Sequence, residues 1–276
     1  MRPMRFSWRT DATPLKSHSS WVERIEDKNR DPGTSAPTLA AVWAGPLDLL
    51  GALATHSALC NLTVQSATVE KKTSFDQYGG NVRNHDLVLR ATTTSGERVI
   101  VCVEAKAGEN LGETVGKQTL AAKRTKAENP RSCASARIED LVERLCRFPK
   151  DDPRVAALRY QLLTAWAGTL SDAAEAAHAV FALHEFRTNE RPDDKSAINE
   201  AELARFAKVV LGCDFPGARS IPWCIQVPDA AGVAAALYVA HVVTDIRDAA
   251  IVVPSTSPPP SQRVKPSPLH GAAGDR

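Results

Sequence analysis

The 276-residue sequence is easiest to bound by what it does not contain. No run approaches the eighteen or so apolar residues of a membrane span, so no spanning helix is expected. The N-terminus is basic but has no apolar stretch behind it. No secretory leader is therefore expected, and the expected location is the cytoplasm. The six cysteines, at 60, 102, 133, 146, 213 and 224, form no CxxC and no Cys/His pair in sequence. That argues against a zinc ribbon or finger and for free, buried thiols in a reducing compartment. Gly79-Gly80 is not followed by a Gly-Lys-Ser/Thr, so there is no phosphate-cradling loop, and no Ser or Cys triad is legible. Internal repeats are absent. Formal net charge is only +2, and the Pro-rich end holds Arg263, Lys265 and Arg276 against Asp275. Net charge therefore offers no case for nucleic-acid binding.

What is present concentrates in two apolar segments, 86–93 and 97–106, joined by Thr94-Ser95-Gly96. Both are rich in β-branched residues, and Gly96 can take positive φ at no steric cost, which predicts a hairpin. If Thr93 pairs with Glu97, Asp86 lies opposite Glu104, and a slip of one residue would part them. Alternation puts Glu104 and Lys106 on one face and Val99, Val101, Val103 and Ala105 on the other. Charges that end an apolar strand need partners or a metal if buried.

Two carboxylates a few ångströms apart suit a hard divalent cation such as magnesium. Such a cation lowers the pKa of a bound water and neutralises charge developing on a phosphate. A neighbouring lysine can orient or activate that water. The expected catalytic residues are Asp86, Glu104 and Lys106, with Asp86, Glu104 and the backbone carbonyl of Ala105 as metal ligands. The bland alternative is a turn residue at Asp86 and a solvated pair at 104 and 106. The pattern is short enough to occur by chance.

Asp86, Glu104, Ala105 and Lys106 together resemble the PD-(D/E)XK nuclease superfamily, the restriction-endonuclease-like fold. His85 stands where that pattern usually has Pro. The stretches Val103–Val115, Leu158–Leu163 and Ala179–Phe186 are similar to those of an uncharacterised bacterial family within the superfamily, over about residues 36–250. The resemblance implies a core of helix, three antiparallel strands, helix and strand, and magnesium- or manganese-dependent phosphodiester hydrolysis. It also implies that an extra acid, here Glu70, can hold a second metal, and that Gln161 can touch metal-bound water or phosphate. Glu70 as a surface charge and Gln161 as a helix-capping residue are the competing readings. His85 is a candidate phosphate contact, although a lone histidine beside a strand is more often structural.

The coarse order of elements agrees with an α/β (α+β, mixed-sheet) fold of αβββαβ order with extra helices and C-terminal strands. Helical spacing is read at 37–59 with Thr38 as N-cap, then near 135–147, 155–176 and 197–211. Strands are read at 62–70, in the hairpin, and at 179–187, 221–227 and 236–244. Residues 1–35 read as a polar extension, 36–253 as one domain and 254–276 as a disordered tail. His184 and Glu185 are assigned no role.

Residues 117–150 carry nine basic side chains against four acidic ones. Lys117, Lys123, Arg124 and Lys126 are candidates to follow a phosphate backbone, against the alternative of a solvated linker and helix face. The expectation is a metal-dependent nuclease, with DNA as the expected partner, no membrane partner, and a homodimer as one arrangement that would let both strands be cut. The alternatives are a non-catalytic nucleic-acid- or protein-binding module, or a small-molecule phosphodiesterase on the same fold.

Overall fold

The computed structural model describes residues 7–10, 13–14, 35, 38–39, 47–78, 82–189, 195–215, 223–227 and 234–247. An eight-stranded mixed sheet forms the middle layer of an α/β fold. Its strands are β1 (Ser7–Thr10), β2 (Thr13–Pro14), β3 (Thr63–Thr73), β4 (Arg83–Thr92), β5 (Arg98–Lys106), β6 (His178–Arg187), β7 (Trp223–Gln226) and β8 (Ala236–Asp245). The helices are α1 (Leu47–Leu53), α2 (Val115–Glu128), α3 (Ala134–Leu145), the single turn α4 (Pro153–Ala156), α5 (Tyr160–Asp172) and α6 (Ser196–Phe206). A π-turn, Ala207–Leu211, extends α6.

The strand order is β2-β1-β3-β4-β5-β6-β8-β7. β3, β4 and β5 run antiparallel, β5, β6 and β8 parallel, and β7 closes the far edge antiparallel to β8. The hairpin has the expected register. Thr93 N–H donates to the Glu97 carbonyl at 3.0 Å, Gly96 sits at φ 84°, and the ladder runs from Thr92↔Arg98 to Leu87↔Val103. Burial explains why it does not slip. Val99, Val101, Val103 and Ala105 lie on the α1 side with Leu49, Ala52 and Leu53. β5 is buried on both faces, so a one-residue slip would turn Glu104 and Lys106 into this apolar layer, where buried charges are costly. The opposite face of the sheet packs Phe181, Leu183 and Val239 against Leu162, Leu163 and Trp166 of α5 and Phe206 of α6.

Four sequence expectations change in detail. The helix read at 155–176 is broken. Val115 N–H donates to the Leu158 carbonyl at 2.7 Å and Tyr160 N–H to the Glu113 carbonyl at 3.0 Å, which holds residues 158 and 159 out of helical geometry. The basic linker after 115 is in part a helix, α2. Only Val115 and Ala122 of α2 are buried, so it shows almost no apolar period. Its legible signal is Thr114, whose hydroxyl caps the first turn by accepting from Lys117 N–H at 3.3 Å. Within the region read as the 37–59 helix, α1 ends at Leu53 and His56 starts a separate 3-10 turn; Thr38 is itself helical, and residues 40–46 lie outside the described residues. Within the N-terminal extension, Ser7–Arg9 pair in parallel with Ser66–Thr68, so β1 and β2 lengthen the sheet. The tail at 254–276 lies outside the described residues.

Candidate active site

The site forms where the β4–β5 ladder opens. Thr93 and Glu97 exchange a ladder bond, so hydrogen-bonded pairs recur every two residues, and His85 with Ala105 would be the next after Leu87 with Val103. The Asp86 carboxylate takes that place: its Oδ2 accepts from Ala105 N–H at 2.7 Å. The cause is a break in alternation on both strands. Val69, Leu87 and Leu89 face α1, yet His85 packs against Gly168 of α5, and Lys71 and Thr73 reach Asp172 at the end of α5. Opposite Asp86, Glu70 sits at φ 50°, a left-handed conformation that costs a non-glycine residue about 1–3 kcal/mol. The distortion turns Asp86 toward β5.

Glu104 is 1% exposed, and both its oxygens are engaged. Oε2 accepts from the Arg83 guanidinium. Oε1 accepts from the Lys106 ammonium at 2.5 Å and from the Gln161 side-chain amide at the start of α5. Burial pushes the Lys106 ammonium below lysine's ordinary pKa, with Asp86 the strongest of the acids opposing that shift. Burial also lowers Arg83, against the attraction of Asp86 first and of Cys102 and Glu70 after it. Asp86, Glu104 and Lys106 thus converge as expected, and Gln161 joins them by direct contact.

The remaining expectations divide. Glu70 lies near Arg83 but accepts from the Asn84 side chain. His85 is fully buried behind the site, so the structure corrects the expected phosphate contact: packing against Gly168 keeps its ring from solvent. Lys123 and Arg124 are exposed on α2, and Lys117 pairs with Glu113 at 2.9 Å on the surface. The Lys126 ammonium instead donates to the carbonyls of Pro130 and Ser132 at 2.5 and 3.0 Å, fastening the loop after α2.

Three participants escaped the sequence. Arg83 is one of many arginines until the fold sets it on Glu104. Glu185 is register-paired with Lys106 and buried, with Oε1 2.6 Å from His241 Nε2 and Oε2 accepting from Asn199 at 2.9 Å. Asp172 sits behind the site with Cys102. Only Glu185 left a trace in the sequence, as a charge two residues past Leu183 in an apolar strand.

Asp86, Glu104 and the Ala105 carbonyl form an all-oxygen donor set, which fits a hard divalent cation. The Ala105 carbonyl lies on the same strand edge as its N–H, which faces Asp86. Arg83 is the group such a cation would displace from Glu104. Beside it opens a cleft of about 490 Å³, lined by Arg83, Asn84, Phe75, Arg137, Tyr160 and Thr164 among others. No helix among the described residues is long and apolar enough to cross a membrane.

A family model described as a domain of unknown function (DUF6946) matches residues 14–228. No curated protein and no solved structure matches the chain.

Proposed function

The chain belongs to this domain family of unknown function, and from that premise we propose that it is a metal-dependent phosphodiesterase of the restriction-endonuclease-like class, acting on DNA. The observation that carries the reading is the convergence of Asp86, Glu104 and Lys106 at the open end of one ladder, with Glu104 buried and Lys106 2.5 Å from it. A buried carboxylate among several donors costs more than it returns unless its position serves a purpose.

Magnesium or manganese held by Asp86, Glu104 and the Ala105 carbonyl would supply a Lewis acid and a more acidic water. The chain's own residues do the rest. Ala105 N–H fixes the Asp86 carboxylate, so its aim does not depend on a free rotamer. Gln161 holds Glu104 from the α5 side. Burial lowers the Lys106 pKa, and once its ammonium has released a proton to solvent the neutral amine orients the attacking water and accepts a proton from it. Arg83 lines the cleft as well as touching Glu104, and turns to the phosphate as substrate enters. Lys123 and Arg124 on α2 meet the backbone farther out.

The test is incubation of the purified protein with supercoiled plasmid, linear duplex and single-stranded DNA, with magnesium or manganese, beside Lys106→Ala. Cleavage by the wild type alone is expected. Equal cleavage by Lys106→Ala, or none by either protein, would overturn the assignment.

One observation favours a second reading, a binding module without catalysis. Arg83, Lys106 and Gln161 already satisfy both oxygens of Glu104. Salt-dependent retention of DNA without cleavage under any divalent metal is the result that reading requires.

A further inference from the structure

Behind the candidate active site lies a second cluster, built from three elements. His85 of β4, Cys102 of β5 and Asp172 at the end of α5 bring one ring nitrogen, one sulfur and one carboxylate oxygen within 4.8 Å of one another. Cys102 Sγ stands 3.8 Å from Asp172 Oδ2. His85 and Cys102 are 0% exposed. The spacing of these residues in sequence, 17 and 70 apart, hides the cluster completely.

His85 is the informative member. Both of its ring nitrogens are buried and have no hydrogen-bond partner among the described residues. An unsatisfied buried polar atom costs about 1–3 kcal/mol, and a neutral imidazole carries two. The chain nevertheless keeps the ring there and clears room for it. A Cβ on Gly168 would lie 2.5 Å from His85 Nε2 and 3.0 Å from its Cε1, so α5 approaches β4 only because residue 168 has no side chain.

We propose that His85, Cys102 and Asp172 form a binding site for a thiophilic divalent metal, of which zinc is the fitting ion. Imidazole nitrogen, thiolate sulfur and one carboxylate oxygen are a ligand set zinc accepts, and three protein ligands leave a fourth position for water. The sulfur separates this site from the all-oxygen set at Asp86 and Glu104, which suits harder ions. Ligands at zinc bonding distances stand roughly 3.3–3.8 Å apart, so the cluster contracts by about 1 Å at its widest on binding.

The neighbouring charges permit this. Lys71 takes Oδ1 of Asp172 and leaves Oδ2 facing Thr73, which donates to it at 3.0 Å, and Cys102. Arg83, the other nearby cation, is turned to Glu104. On binding, the Cys102 thiol loses its proton to solvent as the sulfur–metal bond forms. Thiolate and carboxylate then neutralise the dication. The ion would tie β4, β5 and α5 together directly behind Arg83. The site does not depend on the phosphodiesterase reading.

The experiment uses the full chain. Metal-free protein is titrated with zinc against a competing chelator, and separately with cobalt(II) while its absorption spectrum is recorded. One zinc per chain is expected, with a higher Tm in zinc. Cobalt should give a thiolate-to-metal charge-transfer band that zinc abolishes. Cys102→Ser should lose that band, and Glu104→Gln should keep it. A wild-type cobalt spectrum without the band overturns the proposal. So does unchanged zinc stoichiometry in a folded Cys102→Ala, or no zinc bound by the wild type. Because the decisive spectrum is that of the unmodified protein, a variant that fails to fold does not blunt the test.

Discussion

Two polar clusters share the α5 side of the sheet, their β5 members Cys102 and Glu104 two residues apart, and they are finished in opposite ways. Glu104 is surrounded by more donors than it has oxygens: Arg83, Lys106 and Gln161 all reach it. His85 has two polar ring atoms and, among the described residues, no hydrogen-bond partner for either. Charge already balances at the first cluster, so anything that binds there must displace something. At the second, a bound ion would give the ring nitrogen a partner. The difference separates a site poised for exchange from one poised for occupancy.

The largest effect should come from removing the hub of the first cluster. Glu104→Ala leaves Arg83 and Lys106 buried without their shared carboxylate, and stability should fall by about 3–5 kcal/mol in urea denaturation. Glu104→Gln keeps shape and hydrogen bonding, and should fall less. If the two variants unfold alike, the charge is not what holds the cluster together.

Next, Gly168→Ala tests the crowding at the second cluster. The new methyl group meets the His85 ring, and overpacking of this kind costs about 1–3 kcal/mol. Combined with His85→Ala most of the cost should vanish, since the closest clash is with that ring and only Arg83 Cγ, at 3.1 Å, stays tight. A double variant as unstable as the sum of the singles would mean that Gly168 is required by something else.

A third prediction uses the opposite face of the sheet. His184 Nε2–H donates to the Thr244 hydroxyl at 2.9 Å, and Thr244 in turn donates to Asp48 at 2.8 Å. Burial first, then the neighbouring His241, pulls the His184 pKa down from 6.5 to about 3. His184 is thus neutral in the folded protein and takes up a proton only on unfolding once the pH is below 6.5. Its contribution is therefore full above pH 6.5 and is lost as the pH falls toward 3, at about 1.4 kcal/mol per pH unit. His85, whose pKa is lowered by burial and by Arg83 and Lys71, adds to the same slope. Melting temperatures of wild type and His184→Leu between pH 4 and 7 should converge as the pH falls. Parallel curves would remove His184 from the account.

The smallest effect is a control. Thr114→Ala removes the N-cap of α2, whose side chain touches neither cluster, and should cost about 1 kcal/mol without changing cleavage or metal uptake.

How much of this was legible in the chain depends on the length scale of the cause. The hairpin register follows from β-branched residues flanking Thr94-Ser95-Gly96, all local, and Asp86, Glu104 and Lys106 come with it. Gln161 was legible only by resemblance, since contact with Glu104 depends on how α5 crosses the sheet. Arg83, Glu185 and Asp172 were not legible, because each matters through a partner on another strand or helix. His85 was misplaced for a subtler reason. Strand alternation predicts its face only while the strand is regular, and the left-handed Glu70 on the neighbouring strand breaks that rule at the position where the site forms. The helix α2 was missed because it buries too little to show a period, and the helix at 155–176 was read as unbroken because the bonds that interrupt it come from residues 113–115.

Those two bonds have a consequence of their own. They clasp residues 113–115 to 158–160, so the whole excursion through α2, α3 and α4 leaves the sheet and returns through one narrow neck. Asp86 and Glu104 hang on the sheet side of that neck, and the exposed basic residues of α2 ride on the other. The exposed charges of α2 can therefore change what the protein meets without touching Asp86 or Glu104. The buried side of the excursion has no such freedom, because Ile138 and Val142 are anchored in the core beneath α5 and Arg137 walls the cleft.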